Sequence, residues 1–119
     1  MFSHPLPRRV LVIEDNSASA ETLRLLLQAA GYEVCVAHGG FSGMVLAREW
    51  QPDIVLVDIG LPVLDGFVVA KALRPSGVKL IGMSGCLDAE GYRLAQEAGY
   101  EVVLDKPMRP ETLLHLLEG

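Results

Sequence analysis

Four apolar runs in this chain end the same way, each handing over to a polar residue of distinct chemistry. Val10–Ile13 stops at Glu14 and Asp15, Ile54–Val57 at Asp58, and Val78–Met83 at Ser84. Val102–Leu104 leads through Asp105 to Lys106 and Pro107. If these runs are parallel strands of one sheet, three carboxylates, a hydroxyl and an ammonium converge on its carboxyl edge, where open α/β sheets bind their ligands. Carboxylates crowded at one point repel each other unless a cation joins them. Lys106 is one remedy and a divalent cation is the other. A few carboxylates open to water suit Mg2+, which keeps several of its waters. Zinc prefers thiolate or imidazole ligands, and the histidine expected nearby is His38, after the second strand and at the edge of the expected site. A metal-held carboxylate beside an ammonium and a hydroxyl suits phosphoryl transfer, with the carboxylate as nucleophile. Asp58, alone at the end of the central run, is the candidate nucleophile.

The elements that must position these residues alternate strictly between strand-like and helix-like segments. Strands are expected over about Arg8–Glu14, Tyr32–Ala37, Asp53–Val57, Val78–Met83 and Glu101–Leu104. Leu23, Leu26, Leu27 and Ala30 recur at helical spacing behind an Asn16 or Ser17 cap, and Gly31 ends that helix. The second helix follows Gly39-Gly40, carries Met44, Val45, Leu46 and Trp50, and stops before Pro52. Asp65 is placed to cap the third, which ends at Arg74-Pro75, and Asp88 caps the fourth, which closes at Ala98-Gly99. Pro110 suits the first turn of the fifth, whose Leu113, Leu114, Leu116 and Leu117 form an apolar face. Such alternation predicts a parallel sheet with helices on both faces, a flavodoxin-like (βα)5 three-layer sandwich. The strand order 2-1-3-4-5 puts the switch point between the strands that end in Glu14-Asp15 and Asp58.

A length of 119 residues fits one domain, with residues 1–7 as a loose lead-in and 8–119 as the domain. Half the residues are hydrophobic, which argues against disorder. No apolar run approaches the roughly 20 residues of a membrane helix, and the first residues lack the apolar core of a signal peptide, so a cytoplasmic location without membrane insertion is expected. The net charge of −5 speaks against direct nucleic-acid binding, which relies on Lys and Arg contacts to phosphate. Cys35 and Cys86 form no zinc or redox motif; Cys35 reads as a core residue.

Taken together, Val12-Ile13-Glu14-Asp15-Asn16, Val57 through Gly66, Met83-Ser84-Gly85 and Leu104-Asp105-Lys106-Pro107 resemble the receiver domain of two-component response regulators. The resemblance runs from about Arg8 to Leu117, with the elements in order. Each motif alone is weak: Glu14-Asp15 would merely favour a helix N-terminus, and Lys106 would be a solvated lysine. Four in register are specific. The resemblance implies that Asp58 is the phosphoacceptor and that Mg2+ is bound directly by Asp15 and Asp58 and by the backbone carbonyl of Gly60. Glu14 would act on the metal largely through water. Ser84 would turn toward the phosphoryl group, Lys106 would pair with it, and the Lys106-Pro107 peptide would be cis. A histidine kinase or histidine phosphotransfer protein would be the donor. The fourth helix, fifth strand and fifth helix would form the output face and a candidate homodimer contact. Glu14 stands where Asp is commoner, a change that leaves metal binding intact. Val103 stands where many receivers carry an aromatic residue that turns inward on activation.

Other classes fit less well. Haloacid-dehalogenase-like phosphatases need a second Asp two residues after the nucleophile, and Gly60 holds that place. A dinucleotide binder would need a Gly-rich turn after the first strand, where Glu14-Asp15 would repel a pyrophosphate. A receiver-like interaction module that is never phosphorylated is the remaining alternative, and the intact acidic set with Lys106 argues against it.

Overall fold

The computed structural model describes residues 8–60, 66–85 and 87–118. Five strands, β1 (Arg9–Ile13), β2 (Glu33–Ala37), β3 (Ile54–Asp58), β4 (Lys79–Ser84) and β5 (Val102–Asp105), form one parallel sheet in the order β2-β1-β3-β4-β5. The helices α1 (Ser17–Ala29), α2 (Gly40–Trp50), α3 (Gly66–Leu73), α4 (Ala89–Ala98) and α5 (Pro110–Glu118) connect and follow them. Both the expected architecture and the expected strand order are found.

Why β1 and β3 are continuous apolar runs follows from the two-sided cover. Side chains alternate along a strand. Leu11, Ile13, Val55 and Val57 join the core formed with Ala47, Val69, Ala70, Leu73, Ala95 and Ala98 of α2, α3 and α4. Val10, Val12, Ile54 and Leu56 face the other way, against Leu23 and Leu27 of α1 and Leu113 and Leu117 of α5. Full burial of each such side chain contributes roughly 1.5–3 kcal/mol, so neither face tolerates a polar residue within these strands.

Local chemistry fixes the helix ends. The Asn16 side chain accepts from the Ser19 amide at 2.8 Å, and Asp88 accepts from the Gly91 amide at 2.8 Å. Gly31 follows the C-cap of α1 with a φ of 99°. α3 ends at Leu73, one residue before the expected Arg74-Pro75, because Pro75 falls in a single turn of 3-10 helix over Arg74–Ser76. Asp65 and Cys86 lie outside the described residues. α2 turns its small residues inward: Gly40, Gly43 and Ala47 are buried, whereas Phe41 and Val45 are exposed. A Cβ on Gly43 would come within 2.4 Å of Ile13 Cδ1, so the helix approaches β1 too closely for any larger residue. At the edge opposite the strand carboxyl ends, Arg9 bonds the Trp50 carbonyl at 2.7 Å, and Arg8 and Lys79 bond the carbonyls of Leu117 and Leu116. Cations there complement helix C-termini. Among the described residues, no helix is long and apolar enough to cross a membrane.

Candidate functional site

Backbone ladders carry the functional residues to one place. Beyond β1, the Glu14 amide still bonds the Ala37 carbonyl at 3.0 Å. Asp58 is itself in the sheet, in register with Met83, and the Ile59 amide bonds the Met83 carbonyl at 2.9 Å. Ser84 therefore lies one residue further along the edge on the neighbouring strand, where it pairs with Asp105. The Lys106 amide bonds the Ser84 carbonyl at 2.8 Å, and the Lys106-Pro107 peptide is cis.

The side chains then meet across the switch point. Glu14, Asp15 and Asp58 each offer an oxygen within 4.8 Å of the others. Lys106 Nζ stands 2.8 Å from Glu14 Oε1 and 3.3 Å from Asp58 Oδ2. The opposite oxygens are held by backbone: Asn16 N lies 3.3 Å from Glu14 Oε2, and Gly60 N lies 3.1 Å from Asp58 Oδ1. Depth differs sharply. Glu14 is only 1% exposed, Asp58 is half-buried, and Asp15 and Gly60 face solvent. Ser84 is buried at the end of β4. His38, at the edge of the site as expected, donates from Nδ1 to the Glu14 carbonyl oxygen at 3.2 Å.

Burial pushes the Glu14 carboxyl above the usual carboxylate range, and Asp58 adds to this, while Lys106 and the Asn16 amide oppose it. Burial also disfavours the Lys106 ammonium. Its bond to Glu14 and the charges of Asp58 and Glu14 outweigh that, and its pKa is raised. With one ammonium among three carboxylates, the pocket carries an excess of negative charge, and its donors are hard oxygens, one of them on an exposed residue. Such a donor set fits a hydrated divalent cation of the Mg2+ kind.

The family model of the response regulator receiver domain matches residues 10–118. The chain belongs to that family. The receiver domain is similar to the DNA-binding response regulator MtrA of Mycolicibacterium paratuberculosis, at 32% identity over 90% of this chain and 48% of that one. It is 30% identical to the polar-differentiation response regulator DivK of Brucella anthropi, over 87% of both chains. The chain thus spans about half the length of MtrA and most of DivK. Among solved structures, the chemotaxis protein CheY4 of Vibrio cholerae superposes with a TM-score of 0.89 at 28% identity, covering 94% of this chain and 97% of that one. The receiver domain is a phosphoacceptor module of two-component signal transduction, a family phosphorylated by histidine kinases and typically binding Mg2+ at an acidic pocket.

Two contacts at the receiver site have no signal in the sequence. Tyr92 of α4 donates to Asp105, the residue before Lys106, so α4 is tied to the end of β5. Tyr100, only 3% exposed, donates to the Gly66 carbonyl at 2.5 Å. A Cβ on Gly66 would lie 2.8 Å from Ile59 Cα and 3.0 Å from the Tyr100 hydroxyl, so the start of α3 is seated tightly against the residue that follows Asp58. In the sequence Tyr100 reads only as the residue after a helix-ending Gly99.

Proposed function

We propose that Asp58 accepts the phosphoryl group from a phosphohistidine of a histidine kinase or histidine phosphotransfer protein. Asp58 ends the central strand at the switch point with Lys106 Nζ 3.3 Å away, and this observation carries the reading. A carboxylate oxygen of Asp58 attacks phosphorus, the P–N bond breaks, and its electron pair leaves with the imidazole, giving an acyl phosphate on Asp58. Mg2+, held by Asp15, Asp58 and the Gly60 carbonyl with Glu14 behind them, would neutralise charge on the phosphoryl oxygens. Lys106 contributes a second positive charge from the β5 side, and the Ser84 hydroxyl is the group that bonds a phosphoryl oxygen. With these residues the domain promotes its own phosphorylation and dephosphorylation, as a switch and not as a turnover enzyme.

The same reading takes residues 8–119 as one domain behind a short lead-in and places the protein in the cytoplasm. It makes α4, β5 and α5 the face that meets an output partner or a second copy; the exposure of Leu94 on α4 supports this. The test is intact mass after incubation with acetyl phosphate. A gain of one phosphoryl group with Mg2+, and none with a chelator, is expected; no gain under either condition contradicts the proposal.

A further inference from the structure

The two carboxylates that meet at Lys106 do not share it equally. A charge-assisted N–H···O bond is about 2.7–2.9 Å long. The contact with Glu14 Oε1, at 2.8 Å, is such a bond, whereas that with Asp58 Oδ2, at 3.3 Å, is longer and weaker. Burial explains the preference. Glu14 is 1% exposed and has no access to water in place of a lost partner, so its charge must be met by Lys106 Nζ on Oε1 and the Asn16 amide on Oε2. The Asp58 side chain is 15% exposed and has the Gly60 amide on Oδ1.

We propose that Glu14 is a positioning residue for Lys106, holding the ammonium as its own partner so that it stands beside Asp58 without closing over it. The consequence for phosphoryl transfer rests on the reading of Asp58 as phosphoacceptor. Asp58 Oδ2 is then engaged by no more than a long contact at 3.3 Å, which an incoming phosphoryl group displaces at little cost, and the cation that will balance the transferred group is already in place. Lys106, rooted just past β5, reaches back over the ends of β4 and β3 to meet the Glu14 carboxylate.

The Lys106 ammonium itself can be read by 1H–15N spectroscopy of the metal-free full chain at near-neutral pH and low temperature, since only a firmly bonded ammonium exchanges slowly enough to give a signal. Lys106→Met assigns it. The signal is expected in wild type, to persist in Asp58→Asn and to vanish in Glu14→Gln, with the amide spectrum reporting that each variant is folded. Its absence from wild type, its survival in Glu14→Gln, or its loss from Asp58→Asn overturns the proposal. Should Glu14→Gln not fold, Glu14→Asp replaces it: a weakened signal supports the role, and one as strong as in wild type overturns it. Phosphoryl transfer plays no part in this readout. A wild type that acetyl phosphate cannot label would overturn the Asp58 reading and leave the ammonium result standing.

Discussion

Lys106 and Asp58, separated by 48 residues in sequence, bring their charged atoms to 3.3 Å across the end of the central strand. Around that contact two further carboxylates gather, and a single ammonium does not balance three. The imbalance makes the metal-free site repulsive.

Relief of that repulsion predicts that Asp58→Asn stabilises the metal-free protein. The gain should be on the order of 1 kcal/mol, or roughly 4 °C in melting temperature, because the partial loss of a Lys106 contact offsets it. Thermal unfolding in chelator checks this; a lower melting temperature for the variant would show that the cluster is not repulsive.

Mg2+ should stabilise the wild type by mass action, by about 1.4 kcal/mol at ten times its dissociation constant, and so raise its melting temperature. The exposed Asp15 is the ligand most open to a hydrated ion, so Asp15→Ala should weaken binding more than tenfold. Calorimetry suits the titration, since Trp50 sits against Arg9 at the opposite edge of the sheet and its fluorescence would not report the site. Equal affinities for wild type and Asp15→Ala would remove Asp15 from the ligand set.

The raised pKa of Glu14 makes metal-free stability depend on pH. A carboxyl whose pKa is higher in the folded than in the unfolded chain contributes stability that is full below the unfolded value near 4.5 and is lost as pH rises through the folded value. In chelator, wild type should therefore lose stability across that window relative to Glu14→Gln, which cannot titrate there. Parallel stability curves for the two, measured by urea unfolding, would contradict this.

Val103 is half-buried on β5, beside Gly82 in the sheet, and has neither ring nor hydroxyl to turn inward. With beryllofluoride as a phosphoryl mimic, Ser84 should still be drawn in, and backbone shifts over α4, β5 and α5 should stay small. Tyr92 and Asp105, which tie α4 to the end of β5, should carry the largest of them. Amide chemical shifts decide this; large changes spread across all three elements would show that Val103 does not limit the switch.

The strand order and the helix caps at Asn16 and Asp88 were legible because each rests on local pattern. The strand boundaries shifted. β3, β4 and β5 each lie one residue later than the apolar runs suggest, since the ladder extends to the polar residues: Asp58 pairs with Met83, and Ser84 with Asp105. Sequence pattern weighs side-chain polarity, whereas pairing depends on backbone groups. The Glu14–Lys106 bond and the seating of Tyr100 on Gly66 were not legible, because both join residues distant in sequence through depth and reach. The inward face of α2 was hidden for a related reason: its close approach to Ile13 selects glycine at position 43, which gives no apolar signal.

Locating the acyl phosphate tests the central claim most directly. After incubation with acetyl phosphate and Mg2+, borohydride reduction converts a phosphorylated aspartate to homoserine, which peptide mass spectrometry places in the sequence. Homoserine at position 58, and none in Asp58→Asn, is the predicted result. Homoserine at position 15 or elsewhere, or its persistence in the Asn variant, would contradict the assignment of Asp58 as phosphoacceptor.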